Sequence, residues 1–188
     1  SSGGSKQAYP CKAYGQARIN PAYYYGVFDP QDKRRDVSVV LTGSTGKGVE
    51  KLISFKPNSK ADGGGPSLNK WDENRQVSPW TAGQRKSGIN GPYMRIAEIY
   101  LGYAEACAAL GDQVTAKQYL ATIRERSFPA GKANTDAFIT SQGGLLRAII
   151  EERGFEFAGE GDRRWTLIRS GFLPEAMKRI KDLTNEMI

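Results

Sequence analysis

The fold is decided by residues 92–110, which read PYMRIAEIYLGYAEACAAL. Large apolar side chains recur there at spacings of three and four, the period of an amphipathic helix. Pro92 suits a first helical turn, and Gly111 is a typical helix end. We therefore predict a helix over about residues 92–110 with this inward face: Ile96, Tyr100, Tyr103, Cys107 and Leu110. Alanines indicate close packing on another side as well: Ala97, Ala104 and Ala108.

A second helix is predicted directly after the first, with only Gly111 and Asp112 between them. Asp112 is a good N-cap, and Pro129 bars continuation soon after Arg126. A connection this short forces the two helices to be antiparallel neighbours. The pair partly matches a tetratricopeptide unit, which cannot close a core alone, so further units are expected outside this chain.

Three more helices are predicted in the second half. The first begins at Thr140 or Ser141 and runs to about Gly159. Its predicted inward residues are Leu146, Ile149, Ile150 and Phe157. A shorter helix before Gly171 carries Trp165, and Pro174 opens the last one. We expect Trp165 and the tyrosines of the first helix to lie in the core.

The first ninety residues have a different character. They hold 12 of the 22 glycines and six of the nine prolines, and their apolar runs are short. Alternation at Val37, Val39 and Leu41, and a run at residues 52–55, predict two or three short strands on irregular loops. Such a segment buries too little apolar surface to fold alone, so we expect it to pack on something larger.

The predicted fold class is therefore mainly α. A tetratricopeptide-like α/α superhelix segment forms residues 91–188, and a loop-rich, ligand-facing region with a few short strands forms residues 1–90. Both are expected to be parts of one larger domain. The opening SSGGS and the absence of a visible signal peptide suit a piece of a longer protein.

Composition excludes most enzyme templates. The chain has no histidine, which removes the usual neutral-pH base and the commonest metal ligand. Cys107 fits a small buried thiol better than a disulfide with Cys11. The net charge of +7 is interspersed with acidic residues, and no apolar run could span a membrane. Neither a nucleic-acid partner nor a cofactor or metal is indicated.

One acidic line invites a chemical interpretation. Glu152, Glu156 and Glu160 follow each other at four-residue spacing, and like charges so placed destabilise a helix unless cations compensate them. We predict a structural acid–guanidinium network comprising Arg95, Glu98, Glu105, Glu152, Arg153, Glu156, Glu160 and Arg163. A solvated face is the alternative. Glycoside hydrolysis by a carboxylate pair is disfavoured, because nearby arginines would lower both pKa values and remove the general acid.

Three motifs resemble those of one known family. Residues 92–106 are similar to its P-Y-x-R-x-A-E-x-x-L-x-Y-A-E-A helix. Residues 152–169 are similar to its E-R-x-x-E-x-x-x-E-G-x-R-x-x-D-L-x-R signature, with Thr166 where aspartate is usual. Residues 28–36 match its D-x-R-x-D segment. The chain thus resembles the C-terminal half of a SusD/RagB-like outer-membrane nutrient-binding lipoprotein.

The resemblance implies a function without catalysis. Such proteins capture oligosaccharides, and some capture peptides, at the outer surface of Bacteroidetes-type bacteria. They sit as a lid on a SusC-like TonB-dependent transporter and are held by a lipid anchor, which we expect to lie outside this chain. A peptide-binding RagB-type protein and a tetratricopeptide interaction scaffold remain alternatives.

Exposed aromatic rings on loops are the expected sugar platforms, because glycans bind largely through their C–H faces. The predicted carbohydrate-binding residues are Trp80, Trp71, Tyr23, Tyr24 and Tyr25. Trp80 is preferred because its neighbours form no periodic apolar face, although packing over the helices is the simpler interpretation. A structural role is favoured for Trp71, and at least one ring of the tyrosine triplet is expected to face inward.

Overall fold

Helices dominate the computed structural model, which describes residues 18–44, 50–52, 66–71 and 89–187. A π-helical turn, Tyr23–Val27, comes first. The α-helices are α1 Lys33–Ser38, α2 Ile96–Ala109, α3 Gln113–Ser127, α4 Thr135–Ser141, α5 Leu145–Glu156, α6 Asp162–Arg169 and α7 Leu173–Glu186. The short strands are β1 Val39–Val40, β2 Thr42–Ser44, β3 Glu50–Leu52 and β4 Ser67–Leu68. The predicted mainly α class is confirmed.

The chain divides into two units. The first comprises Ser1–Phe28, Arg35–Gly91 and Ile180–Ile188, and the second comprises Asp29–Arg34 and Pro92–Arg179. Helices α1 and α7 therefore contribute residues to both. The division at residues 90 and 91 drawn from composition stays a prediction.

The core of the second unit lies between the α2–α3 hairpin and α5. Its buried side chains are Ala97, Leu101, Ala104, Cys107, Ala116, Leu120, Ile123, Ala148, Ile149 and Phe157. The predicted turn is confirmed: Gly111 has a positive φ of 91°, and the Asp112 carboxylate accepts from the Thr115 amide at 3.0 Å. Cys107 is a buried free thiol, as predicted, whereas Cys11 lies outside the described residues.

The predicted inward face of α2 is wrong for three residues. Ile96, Tyr103 and Leu110 are 60%, 50% and 87% exposed. The close packing predicted for Ala97 and Ala104 is confirmed: both are fully buried with Leu101, because small side chains let the two helices approach closely. The helix also begins at Ile96 rather than at Pro92, since Arg95 has an extended backbone (φ −122°, ψ 150°). Tyr103 packs its ring edge-on to Tyr119 at 5.0 Å.

The helix predicted from Thr140 or Ser141 to about Gly159 begins later, at Leu145, and Thr140 and Ser141 end the separate helix α4. Gly143 and Gly144 separate α4 from α5. Their φ values are 78° and 143°, which residues other than glycine adopt only with strain. The inward prediction is confirmed for Ile149, Ile150 and Phe157 and wrong for Leu146, which is 42% exposed. Trp165 is not in the core either, with 68% exposure, because Thr166 and Leu167 occupy the inner face of short α6.

Two antiparallel strand pairs belong to the first unit. Val39 of β1 pairs with Leu68 of β4, and Thr42 of β2 pairs with Leu52 of β3. The prediction of a few short strands is confirmed, but Val37 lies in α1 and is 43% exposed. The predicted residues 53–55 lie outside the described part of the chain.

The C-terminal part of α7 packs on the tyrosine-containing turn within the first unit. The Asn20 side-chain amide donates to the Thr184 hydroxyl at 3.0 Å, and the Leu183 side chain contacts the Gly26 position. Among the described helices, none is both long enough and apolar enough to cross a membrane.

Gly154 makes room for the Arg163 guanidinium within the second unit. A Cβ at this position would lie 3.0 Å from Arg163 Cζ and Nη1. Nη1 donates to the Ile150 carbonyl and Nη2 to Glu151 Oε2, both at 2.8 Å. The guanidinium thus ties α6 to α5 across the face of the glycine.

A double-mutant cycle should reveal this dependence. We expect Gly154→Ala to destabilise the protein by about 1 kcal/mol, since crowding outweighs the gain in helix propensity. In an Arg163→Ala background the same change should stabilise by about 0.5–1 kcal/mol, because only the propensity gain remains. Urea unfolding of the four proteins measures both values, and equal effects in the two backgrounds would contradict the assignment.

Candidate functional site

Glu152 is a fully buried carboxylate on α5, held between two guanidinium groups. Its Oε2 lies 2.7 Å from Arg124 Nη1, and its Oε1 lies 2.7 Å from Arg34 Nη1. Arg124 also donates to the Ala133 carbonyl at 3.1 Å and stacks over the Phe138 ring at 3.6 Å. The two guanidinium groups compensate the charge of this buried carboxylate, and Oε2 accepts a hydrogen bond from Arg124.

Glu156, one turn further along α5, collects three arginines. Its Oε1 accepts from Arg95 Nη1 at 2.8 Å and from Arg126 Nη2 at 2.5 Å, and its Oε2 accepts from Arg34 Nη1 at 3.1 Å. Burial favours the neutral acid, but these hydrogen bonds and charges prevail and lower the pKa of Glu156 to about 2. Arg95 also binds Glu160 through Nε and Nη2, at 3.0 and 2.8 Å.

Arg34 fixes the segment Asp29–Arg34 to α5. Besides the two glutamates it binds Asp32, through Nε to Oδ1 at 2.9 Å and Nη2 to Oδ2 at 2.6 Å. Burial opposes its charge, yet Glu152 and Asp32 together raise the pKa of Arg34 further above its usual value. Four partners were therefore missed by sequence reasoning: Asp32, Arg34, Arg124 and Arg126. The D-x-R-x-D motif contained the signal for Asp32 and Arg34.

The other residues predicted for the network lie in separate pairs. Arg153 binds Asp162 at 2.7 Å, and Arg163 binds Glu151 at 2.8 Å. Glu105 pairs with Arg169. Within the described part of the chain Glu98 has no ion pair. The residues predicted for the network therefore do not form a single cluster, and Glu152 and Glu156 are the most buried of them.

Thr166 replaces the aspartate that is usual in the signature, and its hydroxyl has a partner. The Thr166 hydroxyl donates to Asp162 Oδ2 at 2.9 Å and accepts from Arg153 Nε at 3.4 Å. Thr166 is 1% exposed. Asp162 thus supplies the carboxylate that binds Arg153.

The acid cluster suits a structural role. A general acid in glycoside hydrolysis needs a raised pKa, whereas arginines hold that of Glu156 near 2. Glu152 is closed off from solvent. No group of three or more potential metal-binding side chains converges among the residues that the structure describes.

The tyrosine triplet forms most of the π-helical turn in the first unit. Tyr24 is buried, and its hydroxyl donates to Asp36 Oδ1 at 2.5 Å. Arg35 Cζ lies 4.8 Å from the centre of the Tyr24 ring. Burial and the neighbouring Asp36 carboxylate raise the pKa of Tyr24 to about 12, so this phenol keeps its proton. The expectation that one ring of the triplet faces inward is confirmed.

Tyr25 is the exposed member of the triplet, with 47% of its surface accessible. Its ring packs edge-on to Tyr24 at 4.7 Å, while Tyr23 packs edge-on to Phe28 at 5.1 Å. Trp71 is half-buried, and Trp80 lies outside the described residues. Tyr25 therefore offers the most accessible aromatic surface among the predicted sugar-binding residues that the structure describes. That they bind sugar stays a prediction.

Comparisons with known proteins agree with the motifs. A solved structure of B. fragilis NanU superimposes with a TM-score of 0.52 at 24% identity, covering 80% of this chain and 31% of that one, which supports the fold. The SusD-like protein P25 of Formosa agariphila is 37% identical over 87 residues, or 46% of this chain and 16% of that protein. The chain thus spans less than a third of either relative. The sequence pattern of the SusD family matches residues 4–186, and the chain belongs to the SusD family.

Proposed function

We propose that this protein captures oligosaccharides at the cell surface without cleaving them. SusD-like proteins are generally glycan-binding nutrient-uptake proteins and outer-membrane lipoproteins. The single observation that supports this position for the site is the exposed ring of Tyr25 on the π-helical turn, beside the buried Tyr24 and its polar partners. A fixed aromatic face of this kind suits the C–H surface of a sugar ring.

Passive binding also agrees with the chemistry of the second unit. The line of glutamates that could have supplied a carboxylate pair is occupied by guanidinium groups. We propose that this unit has a structural role and does not itself catalyse a reaction. We also propose that the captured glycan passes to a SusC-like TonB-dependent transporter. The full-length protein would be lipid-anchored at the outer face of the outer membrane of a Bacteroidetes-type bacterium.

Affinity gel electrophoresis of the full-length protein tests the binding site. We expect Tyr25→Ala to lower retention in a gel containing the bound polysaccharide by about tenfold, as loss of one stacked aromatic contact costs roughly 1–1.5 kcal/mol. Tyr93→Ala, which removes a fully exposed tyrosine before α2, is the matched control and should retain binding. Trp80→Ala and Trp71→Ala extend the test to the other predicted platforms.

Two outcomes would contradict the proposal. Release of reducing sugar during incubation with the bound polysaccharide would indicate an enzyme. Binding of peptides but of no polysaccharide would favour the RagB-type alternative, in which Tyr25 has no sugar to stack on.

A further inference from the structure

Two charged residues accompany the exposed ring of Tyr25. Arg35 Nε and Nη2 donate to Asp36 Oδ1 and Oδ2 at 2.9 and 3.1 Å, a two-pronged pair on consecutive residues. The Arg35 guanidinium stacks on the Tyr24 ring, and the Tyr24 ring in turn contacts that of Tyr25. Ring, guanidinium and carboxylate therefore belong to one small surface within the first unit.

This pair is held in place rather than free to rearrange. The Tyr24 hydroxyl donates to the same Asp36 oxygen that Arg35 Nε contacts, and burial of Tyr24 fixes the ring beneath the guanidinium. The Asp36 side chain remains 58% exposed and that of Arg35 20% exposed. A ligand on Tyr25 thus meets polar groups whose positions are set before it arrives, which lowers the entropy cost of binding.

The charge balance of the surface distinguishes ligand classes. Asp36 neutralises the Arg35 guanidinium, and the Asp36 side chain is more exposed than that of Arg35. An approaching uronate or sulfate group would meet the exposed Asp36 carboxylate, and Arg35 is already paired with that carboxylate. A neutral sugar instead presents hydroxyl groups that can donate to Asp36 and accept from Arg35.

We propose that the surface formed by Tyr25, Arg35 and Asp36 binds a neutral sugar unit and discriminates against anionic ones. The inference rests on the proposed glycan-binding function and adds its substrate class. Asp36 acts as the hydroxyl acceptor and as the negative charge that repels acidic glycans, and Arg35 positions it.

The test compares polysaccharide pairs that differ only in charge. Anionic probes are polygalacturonan, a glucuronoxylan and a sulfated galactan, each run beside its carboxyl-reduced or desulfated form in affinity gels with the full-length protein. We expect the neutral member of the pair that binds to be retained about fivefold to tenfold more strongly. Asp36→Asn should reduce or reverse this preference by about tenfold, because it leaves Arg35 uncompensated.

Asp136→Asn is the matched control, since it makes the same charge change on α4 and should leave the preference unaltered. Melting temperatures establish that each variant is folded. If Asp36→Asn does not fold, the preference of the wild type between neutral and anionic polysaccharides tests the inference. Stronger retention by the anionic member, with loss of binding in Tyr25→Ala, overturns this inference and leaves the proposed function standing. Failure to bind any member of the panel overturns both.

Discussion

Replacing Glu152 with glutamine should lower the free energy of unfolding by about 3–5 kcal/mol, the cost typical of breaking a buried ion pair. The carboxylate has no solvent exposure, and the side chains of Arg34 and Arg124 are only 13% and 5% exposed. The amide would keep the volume but remove the charge that both guanidinium groups need. It would also turn an N–H donor towards groups that are donors themselves.

Urea unfolding at neutral pH measures this effect, and a thermal midpoint lowered by about 6–20 °C should accompany it. Glu175→Gln is the matched control, because the Glu175 side chain is 64% exposed although it binds Arg147 through both oxygens. Exposed pairs contribute little, so its midpoint should stay close to that of the wild type. If the two variants unfolded alike, Glu152 would not be the centre of a buried network.

Local signals predicted the helices of the second unit well. Asp112 and Gly111 set the α2–α3 turn through contacts with residues a few positions away, which sequence displays directly. The rotation of α2 was not predictable from its apolar period, because tyrosine and isoleucine repeat as regularly as alanine does. The choice of the alanine face depends on how closely α3 approaches, which is a property of the packed pair.

The ion pairs show a second limit of sequence reasoning. Four-residue spacing indicated that Glu152 and Glu156 need cations, and Arg153 and Arg163 were the nearest candidates in sequence. Of the arginines predicted for the network, Arg95 contacts Glu156, but the other arginines around these two glutamates come from Asp29–Arg34 and from α3. The sequence shows that closely spaced glutamates need cations nearby, whereas tertiary packing determines which arginines bind them.

The tyrosine triplet combines both cases. At least one ring of the triplet was expected to face inward, and the turn buries Tyr24 while exposing Tyr25. Asp36 and Arg35 were not recognised as companions of the rings, because a separation of ten or more residues carries no periodic signal. Their pairing depends on the return of α1 towards the turn within the first unit.

Acid should lower the free energy of unfolding, and the pKa of Glu156 determines the pH range in which part of this loss occurs. Its pKa falls from the usual 4.5 to about 2 in the folded protein. A group whose pKa is depressed by folding stabilises the native state above its unfolded pKa, and this contribution is lost as pH falls through the folded pKa. We therefore expect about 3 kcal/mol of stability to be present at neutral pH and to disappear between about pH 4.5 and pH 2.

Comparing the wild type with Glu156→Gln isolates this contribution. At pH 7 the variant should be less stable by about 3 kcal/mol, and the difference should shrink towards zero near pH 2, where Glu156 itself becomes protonated. Glu98→Gln should parallel the wild type throughout, because it leaves Glu156 and its three arginines unchanged. The difference in free energy of unfolding between wild type and Glu156→Gln could instead stay constant from pH 7 to pH 2. That result would show that packing, and not the ionised carboxylate, accounts for the lost stability.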